Sequence, residues 1–370
     1  YTACVTDGWF GLNCQYQCHC AGSAPCDKHD GSCSSGCHQD WFGPACQYDR
    51  MSYSGPGWLT DSDDTTCNTG NTQPVTVILD TPIPLKWVRV VVSDADSLNQ
   101  IHLSYQLPGS FTPLACPGLR KAKVDNLTMD IECSTPEPVS GVTLSRSGIT
   151  ELCSLYINGG RNVALKQSAA QSSRLLPATN AWLARYAVDG TTGGNNSLTC
   201  THTAPDRPTP GWWTVTFSQA AYITRFLIYN RNGDCGQGCK DRLAGFTLTA
   251  NSDSSTATLY SYTDPGGPGQ DSYTVVPSPR ISFPVSQIRF MTGDSRNILA
   301  LCEVLVFGET NCPAGQFGLR CERQCNCVDQ GSCFVHSGGC PSGCAVGYTG
   351  EDCSGKLLDG KEKNPDFLMR

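Results

Sequence analysis

The spacing of 24 cysteines constrains the fold of this 370-residue chain more than any other feature. They fall along the sequence in blocks of 8, 4, 4 and 8. An even number this large is typical of an oxidising compartment, where thiols pair. Zinc is the other use of clustered thiolates, but the chain has six scattered histidines and no pair of Cys-x-x-Cys knuckles. We therefore expect disulfide bonds and a secreted, extracellular protein.

The two outer blocks repeat each other almost gap for gap, and only the first interval differs, by one residue. The first block is Cys4, Cys14, Cys18, Cys20, Cys26, Cys33, Cys37 and Cys46, and the last is Cys312, Cys321, Cys325, Cys327, Cys333, Cys340, Cys344 and Cys353. Modules this short bury too little apolar area to fold without cross-links, so each bond, at about 2–5 kcal/mol, replaces part of a core.

Both outer blocks resemble laminin-type and multiple-EGF-like modules, through the Cys-x-Cys step and an aromatic turn before a cysteine (Trp9 to Gly11; Tyr348 to Gly350). Such modules commonly act as spacers that orient a neighbour. The near-repeat of residues 7–16 by 39–48 indicates equivalent loops closed by Cys4–Cys14 and Cys37–Cys46. The resemblance implies Cys18–Cys26 and Cys20–Cys33 for the rest.

The residues between these modules form two segments of short alternating runs separated by Gly, Pro, Asn and Asp, without a helical period. We therefore predict an all-β protein: two β-sandwich jelly rolls flanked by two small disulfide-rich EGF-like modules. The predicted domains are residues 1–47, 48–158, 161–310 and 311–354, followed by a polar tail at 355–370.

The two predicted sandwiches are related to each other. Each has an acidic turn before its first cysteine, and each closes with Leu-Cys and a strand. Aligning these features predicts Cys67–Cys153 in the first sandwich and Cys200–Cys302 in the second. Cys116–Cys133 and Cys235–Cys239 then follow by elimination.

Charge and hydropathy exclude two classes of partner. The chain carries 26 Lys and Arg against 33 Asp and Glu, a net charge of −7, with no basic stripe for a nucleic acid. Its most apolar runs, such as Trp87 to Val92, have the length of a strand, so we expect no membrane span. Because the chain opens at Tyr1 without a charged and apolar leader, we expect a mature secreted product.

The second predicted sandwich carries an ordered series of short motifs. They are Asn162 to Leu165, Ala170 to Ser172, Ala187 to Gly190, Cys200 to His202, Trp212 and Trp213, Tyr229 to Arg231, Gly233 to Cys235, Arg242 to Gly245, and Leu301 to Val304. In this order they resemble the F-type lectins, the fucose-binding fucolectins of the galactose-binding-like jelly-roll superfamily. The first sandwich is then a degenerate copy, with Ser154 in place of Glu303.

The resemblance implies a carbohydrate-binding site formed by His202, Arg231, Asp234 and Arg242. Two guanidiniums and an imidazole offer the convergent, fixed donors that sugar hydroxyls require, and Asp234 would hold an arginine in place. The alternative is that these are ordinary surface residues on loops. The Cys235–Cys239 ring is wider than the family pattern and shifts Arg242 by three residues, which makes its reach the point to test. Leu198 or Trp182 would supply the apolar rim.

The resemblance also implies a structural calcium site. Its ligands would be Tyr186, Asp189, Thr191, Thr199 and Glu303, and two carboxylates with carbonyl oxygens suit this ion. The alternative is that Asp189 only shapes an Asp-Gly turn.

A secreted lectin for fucose-type glycans, acting in recognition, adhesion or innate immunity, is the function that these features favour. The alternative is a matrix, adhesive or scavenger-receptor-like protein with a vestigial pocket. No nucleophile elbow, phosphate loop or carboxylate pair points to an enzyme. Expected partners are fucosylated glycans, cell-surface or matrix glycoproteins and, since one pocket gains avidity only by self-association, a homo-oligomer. Asn126 and Asn195 lie in glycosylation sequons.

Overall fold

The computed structural model describes residues 4–176, 179–233, 235–252, 258–329 and 333–356. Nearly all of its regular structure is β, as predicted. The chain divides into two compact units, one formed by the residues up to Gly159 together with those from Cys312 onward, and the other by Gly160–Asn311. No helix among the described residues is long and apolar enough to cross a bilayer.

Helices are short throughout the described residues. The α-helices are α1, Gly57–Thr60, and α2, Gln237–Lys240. The 3-10 turns are Leu12–Cys14, Ala21–Ser23, Pro44–Cys46, Ala95–Gln100, Ser147–Glu151 and Ala184–Val188.

The N-terminal module consists of two hairpins, each made of a pair of two-residue strands. These strands are β1 (Trp9–Phe10), β2 (Tyr16–Gln17), β3 (Trp41–Phe42) and β4 (Tyr48–Asp49). β1 pairs with β2 and β3 with β4, both antiparallel. The bonds that hold the module are Cys4–Cys14, Cys18–Cys26, Cys20–Cys33 and Cys37–Cys46.

The first sandwich packs a four-stranded sheet, in the order β10-β11-β7-β13, against a five-stranded sheet, β5-β6-β12-β8-β9. Its strands are β5 (Tyr53–Ser54), β6 (Val75–Pro84), β7 (Trp87–Val92), β8 (His102–Gln106), β9 (Leu114–Ala115), β10 (Arg120–Lys123), β11 (Thr128–Glu132), β12 (Pro138–Ser145) and β13 (Leu152–Asn158). β6 shows the expected alternation, since Val75, Val77 and Leu79 are buried. The disulfides are Cys67–Cys153 and Cys116–Cys133.

The second sandwich, which carries the candidate site, is built around one long strand, β17. Its strands are β14 (Arg161–Asn162), β15 (Ser168–Gln171), β16 (Thr201–His202), β17 (Trp212–Tyr229), β18 (Thr247–Asn251), β19 (Thr258–Thr263), β20 (Ser272–Val275), β21 (Val285–Met291), β22 (Ala300–Leu301) and β23 (Glu303–Thr310). The first half of β17 pairs with β15 and β21, and its second half with β20 and β23. The register shifts between these halves, which lets one strand serve both layers.

The C-terminal module repeats the N-terminal one. Its strands are β24 (Gln316–Phe317), β25 (Arg323–Gln324), β26 (Tyr348–Thr349) and β27 (Gly355–Lys356). The bonds are Cys312–Cys321, Cys325–Cys333, Cys327–Cys340 and Cys344–Cys353, so with Cys200–Cys302 and Cys235–Cys239 every cysteine is paired.

Both modules pack on the first sandwich at Trp87. Phe42 and Tyr48 of the N-terminal module contact the indole at centroid distances of 4.8 and 5.0 Å. His336 of the C-terminal module stacks on it at 4.0 Å. The phenol of Tyr48 also donates to the His336 carbonyl at 3.3 Å. The two modules and the sandwich therefore share one buried aromatic cluster.

A buried ion pair holds the same junction. Arg89 binds Asp130 through two hydrogen bonds of 2.7 and 2.9 Å, and it donates a third to Glu351 of the C-terminal module at 3.2 Å. Burial raises the pKa of Asp130, but the charge of Arg89 and hydrogen bonds from His336 and Arg89 outweigh it and lower that pKa to about 2. The carboxylate is therefore ionised at neutral pH.

Candidate functional site

His202 lies at the end of the short strand β16, which pairs with β22 so that His202 faces Ala300. The side chain is 3% exposed. Its Nδ1 is 2.7 Å from the Thr203 carbonyl, which can only accept, so Nδ1 carries the proton. Its Nε2 lies 2.8 Å from Nη1 of Arg242, which can only donate. These two contacts define a neutral imidazole with Nε2 as an acceptor.

The electrostatic surroundings keep this imidazole neutral. Burial lowers the pKa of His202, the hydrogen bond to Thr203 raises it, and the charges of nearby arginines lower it further, to about 4. The contributing arginines are Arg242, Arg231 and Arg296. His202 is therefore uncharged at neutral pH, and the positive charge of the site resides on guanidiniums.

Arg242 reaches His202 despite the wider cystine ring. α2 runs through Cys239, and the amide of Arg242 donates to the Cys239 carbonyl at 3.4 Å, so the ring directs the chain back toward β16. Burial, followed by the charges of Arg231 and Arg296, lowers the pKa of Arg242. Its Nε is buried and has no hydrogen-bond partner among the described residues. A ligand would reach this donor only after a movement of the side chain, because the atom is shielded from solvent.

Arg231 joins the same group through Trp182. Its guanidinium lies 4.6 Å from the centroid of the Trp182 indole, which also meets the His202 ring edge-on at 5.2 Å. The side chain of Asn230 donates to the Lys240 carbonyl at 2.8 Å, which ties the turn of Arg231 to the segment that leads to Arg242. Asn230 therefore positions both arginines.

A close backbone approach brings the Arg231 turn against the loop of Asn195. A Cβ added to Gly233 would lie 2.5 Å from the Asn195 carbonyl oxygen, so only glycine fits there. Arg231 Nε donates to the same carbonyl at 3.4 Å. A glycan on the sequon residue Asn195 would therefore lie beside the pocket.

Trp182 is a supporting residue and not the exposed rim that the sequence suggested for it. The indole is 6% exposed and packs on the Cys200–Cys302 disulfide. The carboxamide of Gln171 donates to the carbonyls of Trp182 and His202 at 3.1 and 3.3 Å. Of the two candidates for the rim, Leu198 is the one that is open to solvent, at 61% exposed.

Sequence reasoning missed Arg296, whose charge contributes to lowering the pKa of both His202 and Arg242. It lies on the loop between β21 and β22, and its carbonyl accepts from the amide of Asp206 at 3.0 Å. The remaining predicted residue, Asp234, lies outside the described residues. The structure thus brings together His202, Arg231 and Arg242.

The two carboxylates of the predicted calcium site also meet. Glu303 is fully buried at the start of β23; its Oε1 accepts from the amide of Gly190 at 3.2 Å, and its Oε2 has no partner among the described residues. Burial and the charge of Asp189 raise the pKa of Glu303 to about 8. Burial likewise raises the pKa of Asp189. A buried, incompletely bonded carboxylate beside a second one fits a cation.

The other predicted calcium ligands lie on the same segment, where their described hydrogen bonds have other partners. Tyr186 donates its hydroxyl to the Asn180 carbonyl at 2.6 Å. Thr191 donates its amide to Asp189 Oδ1 at 2.9 Å. Thr199 Oγ1 accepts from the amide of Asn195 at 3.1 Å. If calcium binds to Asp189 and Glu303, backbone carbonyl oxygens of this segment would have to supply the neutral ligands.

Residues 186–280 match the family model described as "NedA-like, galactose-binding domain", of the F5/8 type C class. This match lies within the second sandwich and agrees with the resemblance that its motifs show. No curated protein sequence matches the chain.

Three of the solved structures that match the chain are named for carbohydrate binding. A fucose binding module from Streptococcus pneumoniae shares 26% identity over 41% of this chain and 97% of its own, with a TM-score of 0.34. The lectin domain of lectinolysin, in complex with Lewis B antigen, shares 23% over 40% and 98%, with a TM-score of 0.35. The fucolectin of striped bass (Morone saxatilis) serum shares 18% over 70% and 96%, with a TM-score of 0.32.

Proposed function

We propose that this protein is a secreted, non-enzymatic lectin whose second sandwich binds fucose-type glycans. The observation that carries the proposal is the convergence of Arg242, Arg231 and the neutral His202 in one domain of the galactose-binding-like class. L-Fucose is 6-deoxy-L-galactose, and its ring oxygen and hydroxyls offer acceptors to these guanidinium donors.

The chemistry of the pocket supports sugar binding over catalysis. Guanidiniums donate to ring and hydroxyl oxygens without becoming reactive, and hydrogen bonds to charged groups contribute about 1.5–3 kcal/mol each. Because His202 Nε2 already accepts from Arg242, its role in the free protein is to fix that arginine. Arg242 then presents its remaining guanidinium donors to a ligand.

Two further parts of the proposal concern setting and stability. The pairing of every cysteine supports an extracellular location. The pair of the buried Glu303 and the half-buried Asp189 supports structural calcium, which would offset two carboxylates held close together. A bound ion would compensate the charge of these carboxylates and would have a structural role, not a catalytic one.

Titration of the full chain with L-fucose tests the proposal. We expect wild-type protein to bind fucose but not glucose, and Arg242→Ala to lose at least tenfold in affinity with an unchanged fold. Arg280→Ala, at an exposed arginine of the same domain, is the matched control. If wild-type protein gives no fucose signal even at high sugar concentration, the pocket is vestigial and the adhesive or matrix alternative replaces the lectin.

A further inference from the structure

The loop of Asn195 lies against the turn that carries Arg231. A Cβ added to Gly233 would lie 2.5 Å from the Asn195 carbonyl oxygen and 3.5 Å from the Asn195 Cβ. Arg231 Nε donates to the same carbonyl at 3.4 Å. Both the backbone and the first side-chain carbon of Asn195 therefore lie beside this turn, so a group attached to the Asn195 side chain would begin at the edge of the site.

The same loop is held in one shape by its own hydrogen bonds. Thr199 Oγ1 accepts from the amides of Asn195 and Asn196 at 3.1 and 3.2 Å. The Asn196 carbonyl accepts from the amides of Thr199 and Cys200 at 3.3 and 3.1 Å. Because Cys200 belongs to the disulfide on which Trp182 packs, these contacts join the loop to the frame of the site. A substituent on Asn195 therefore has a defined starting point.

Asn195 is suited to carry an N-linked glycan. It opens the sequon Asn195, Asn196, Ser197, and its side chain is exposed. The pairing of every cysteine is typical of proteins that pass through the oxidising secretory pathway, where such glycans are attached. Leu198, which follows the sequon, is largely exposed, so the loop lies at the rim of the site and not beneath it. A glycan on Asn195 would therefore stand at this rim.

Building on the proposed lectin function, we propose that an N-linked glycan on Asn195 restricts the site to small, terminal sugars and excludes branched glycans on large carriers. A single sugar bound by Arg242, which is held on the buried His202, would lie inside the rim. The rest of a large ligand must extend over the rim, where it would clash with the bulk of the attached glycan. Exclusion of this kind sets specificity by a clash and not by an added attraction.

The test uses the full chain produced in a glycosylating host, with the occupancy of Asn195 measured by mass spectrometry. Ser197→Ala removes the sequon and keeps Asn195 in place. Asn126→Gln removes the other sequon, which lies in the first sandwich, and is the matched control. The probes are L-fucose and a glycoprotein with branched, terminally fucosylated glycans. We expect Asn195 to be glycosylated and all three forms to bind L-fucose with affinities within about twofold of one another. Ser197→Ala alone should bind the glycoprotein at least about fivefold more tightly than wild type.

The outcomes separate this restriction from the function on which it rests. An unmodified Asn195 in the wild-type protein, or glycoprotein binding by Ser197→Ala that is equal to or weaker than that of wild type, overturns the restriction while the lectin stands. An equal gain of Ser197→Ala for L-fucose and for the glycoprotein overturns selection by size, because the glycan then blocks the site outright. A gain that Asn126→Gln shares overturns the role of Asn195. Absence of binding of both probes to every form rejects the lectin function and the restriction together.

Discussion

Replacing Glu303 with glutamine keeps the shape of a fully buried side chain and removes its charge. Without a bound cation, burial and Asp189 raise the pKa of this carboxyl from 4.5 to about 8. At pH 7 the folded protein must then keep a proton that the unfolded chain releases, at a cost of up to about 3 kcal/mol. In a chelator, Glu303→Gln should therefore be more stable than wild type by up to that amount.

Calcium should reduce this difference by stabilising only the wild-type protein. Binding to the folded state adds about 2.7 kcal/mol when free calcium exceeds its Kd a hundredfold. A domain of this size shifts by about 2–4 °C per kcal/mol. We expect calorimetry of the full chain to show the variant's second sandwich melting about 6–12 °C higher in chelator, and most of this difference to vanish in excess calcium.

The pH dependence gives the same test a second readout. Because the folded pKa lies above the unfolded one, the stability present below pH 4.5 is lost as the pH rises toward 8. In chelator, the wild-type transition should fall over this range and that of Glu303→Gln should not. Glu137→Gln, at an exposed site in the first sandwich, is the control. Equal wild-type melting with and without calcium, with no gain in the variant, would refute the calcium assignment.

Two further predictions follow from the other perturbed groups. The folded pKa of His202 is depressed to about 4, so the stability that the neutral imidazole contributes is present above pH 6.5 and is lost as the pH falls through 4. Fucose affinity should therefore be constant from pH 8 to 5.5. A decline centred near pH 6.5 would contradict the neutral tautomer. Asp130→Asn leaves Arg89 buried without its bidentate partner and should destabilise the first unit by about 3–5 kcal/mol in thermal melts. The exposed control Asp125→Asn should not destabilise it. A melting temperature equal to that of wild type for Asp130→Asn would show that the ion pair contributes nothing to stability.

The all-β class and both sandwiches were predictable because strand alternation and cysteine spacing are local patterns. Aligning the acidic turns and the closing Leu-Cys strands of the two sandwiches predicts Cys67–Cys153 and Cys200–Cys302, and the structure contains both bonds. The 18 residues of β17, which pair with both layers, were not predictable in this way. A strand that changes sheets depends on long-range partners and not on its own alternation.

The docking of the outer modules also depends on long-range contacts. Spacing within the modules indicates their loops, but nothing in it points to Trp87 as the shared partner of Tyr48 and His336. The sequence suggested modules that orient a neighbour, and each module buries an aromatic or imidazole ring against the first sandwich. The ion pair of Arg89 and Glu351 joins residues 262 positions apart, which no local pattern reveals.

In the candidate site, the order of the motifs predicted His202, Arg231 and Arg242, but it gave no indication that the charge of Arg296 acts on two of them. Arg296 belongs to no motif of the resemblance, and only the pairing of β16 with β22 brings its loop beside His202. The role of Trp182 was likewise hidden, because a tryptophan in a loop is equally compatible with an exposed rim and with a buried support. Its contacts with Arg231 and the Cys200–Cys302 disulfide show that the indole packs beneath the site and does not form its rim.

The same disulfide links the two candidate binding sites. Cys200 lies two residues before His202, and Cys302 immediately precedes Glu303, so one cross-link connects the sugar-binding strand to the strand that carries the buried carboxylate. The Cys302 amide also donates to the Tyr229 carbonyl at 2.9 Å, two residues before Arg231. Compensating the charge of Glu303 would therefore stabilise the frame that holds His202 and Arg231. This is the physical reason to expect structural calcium and sugar binding to occur in one domain.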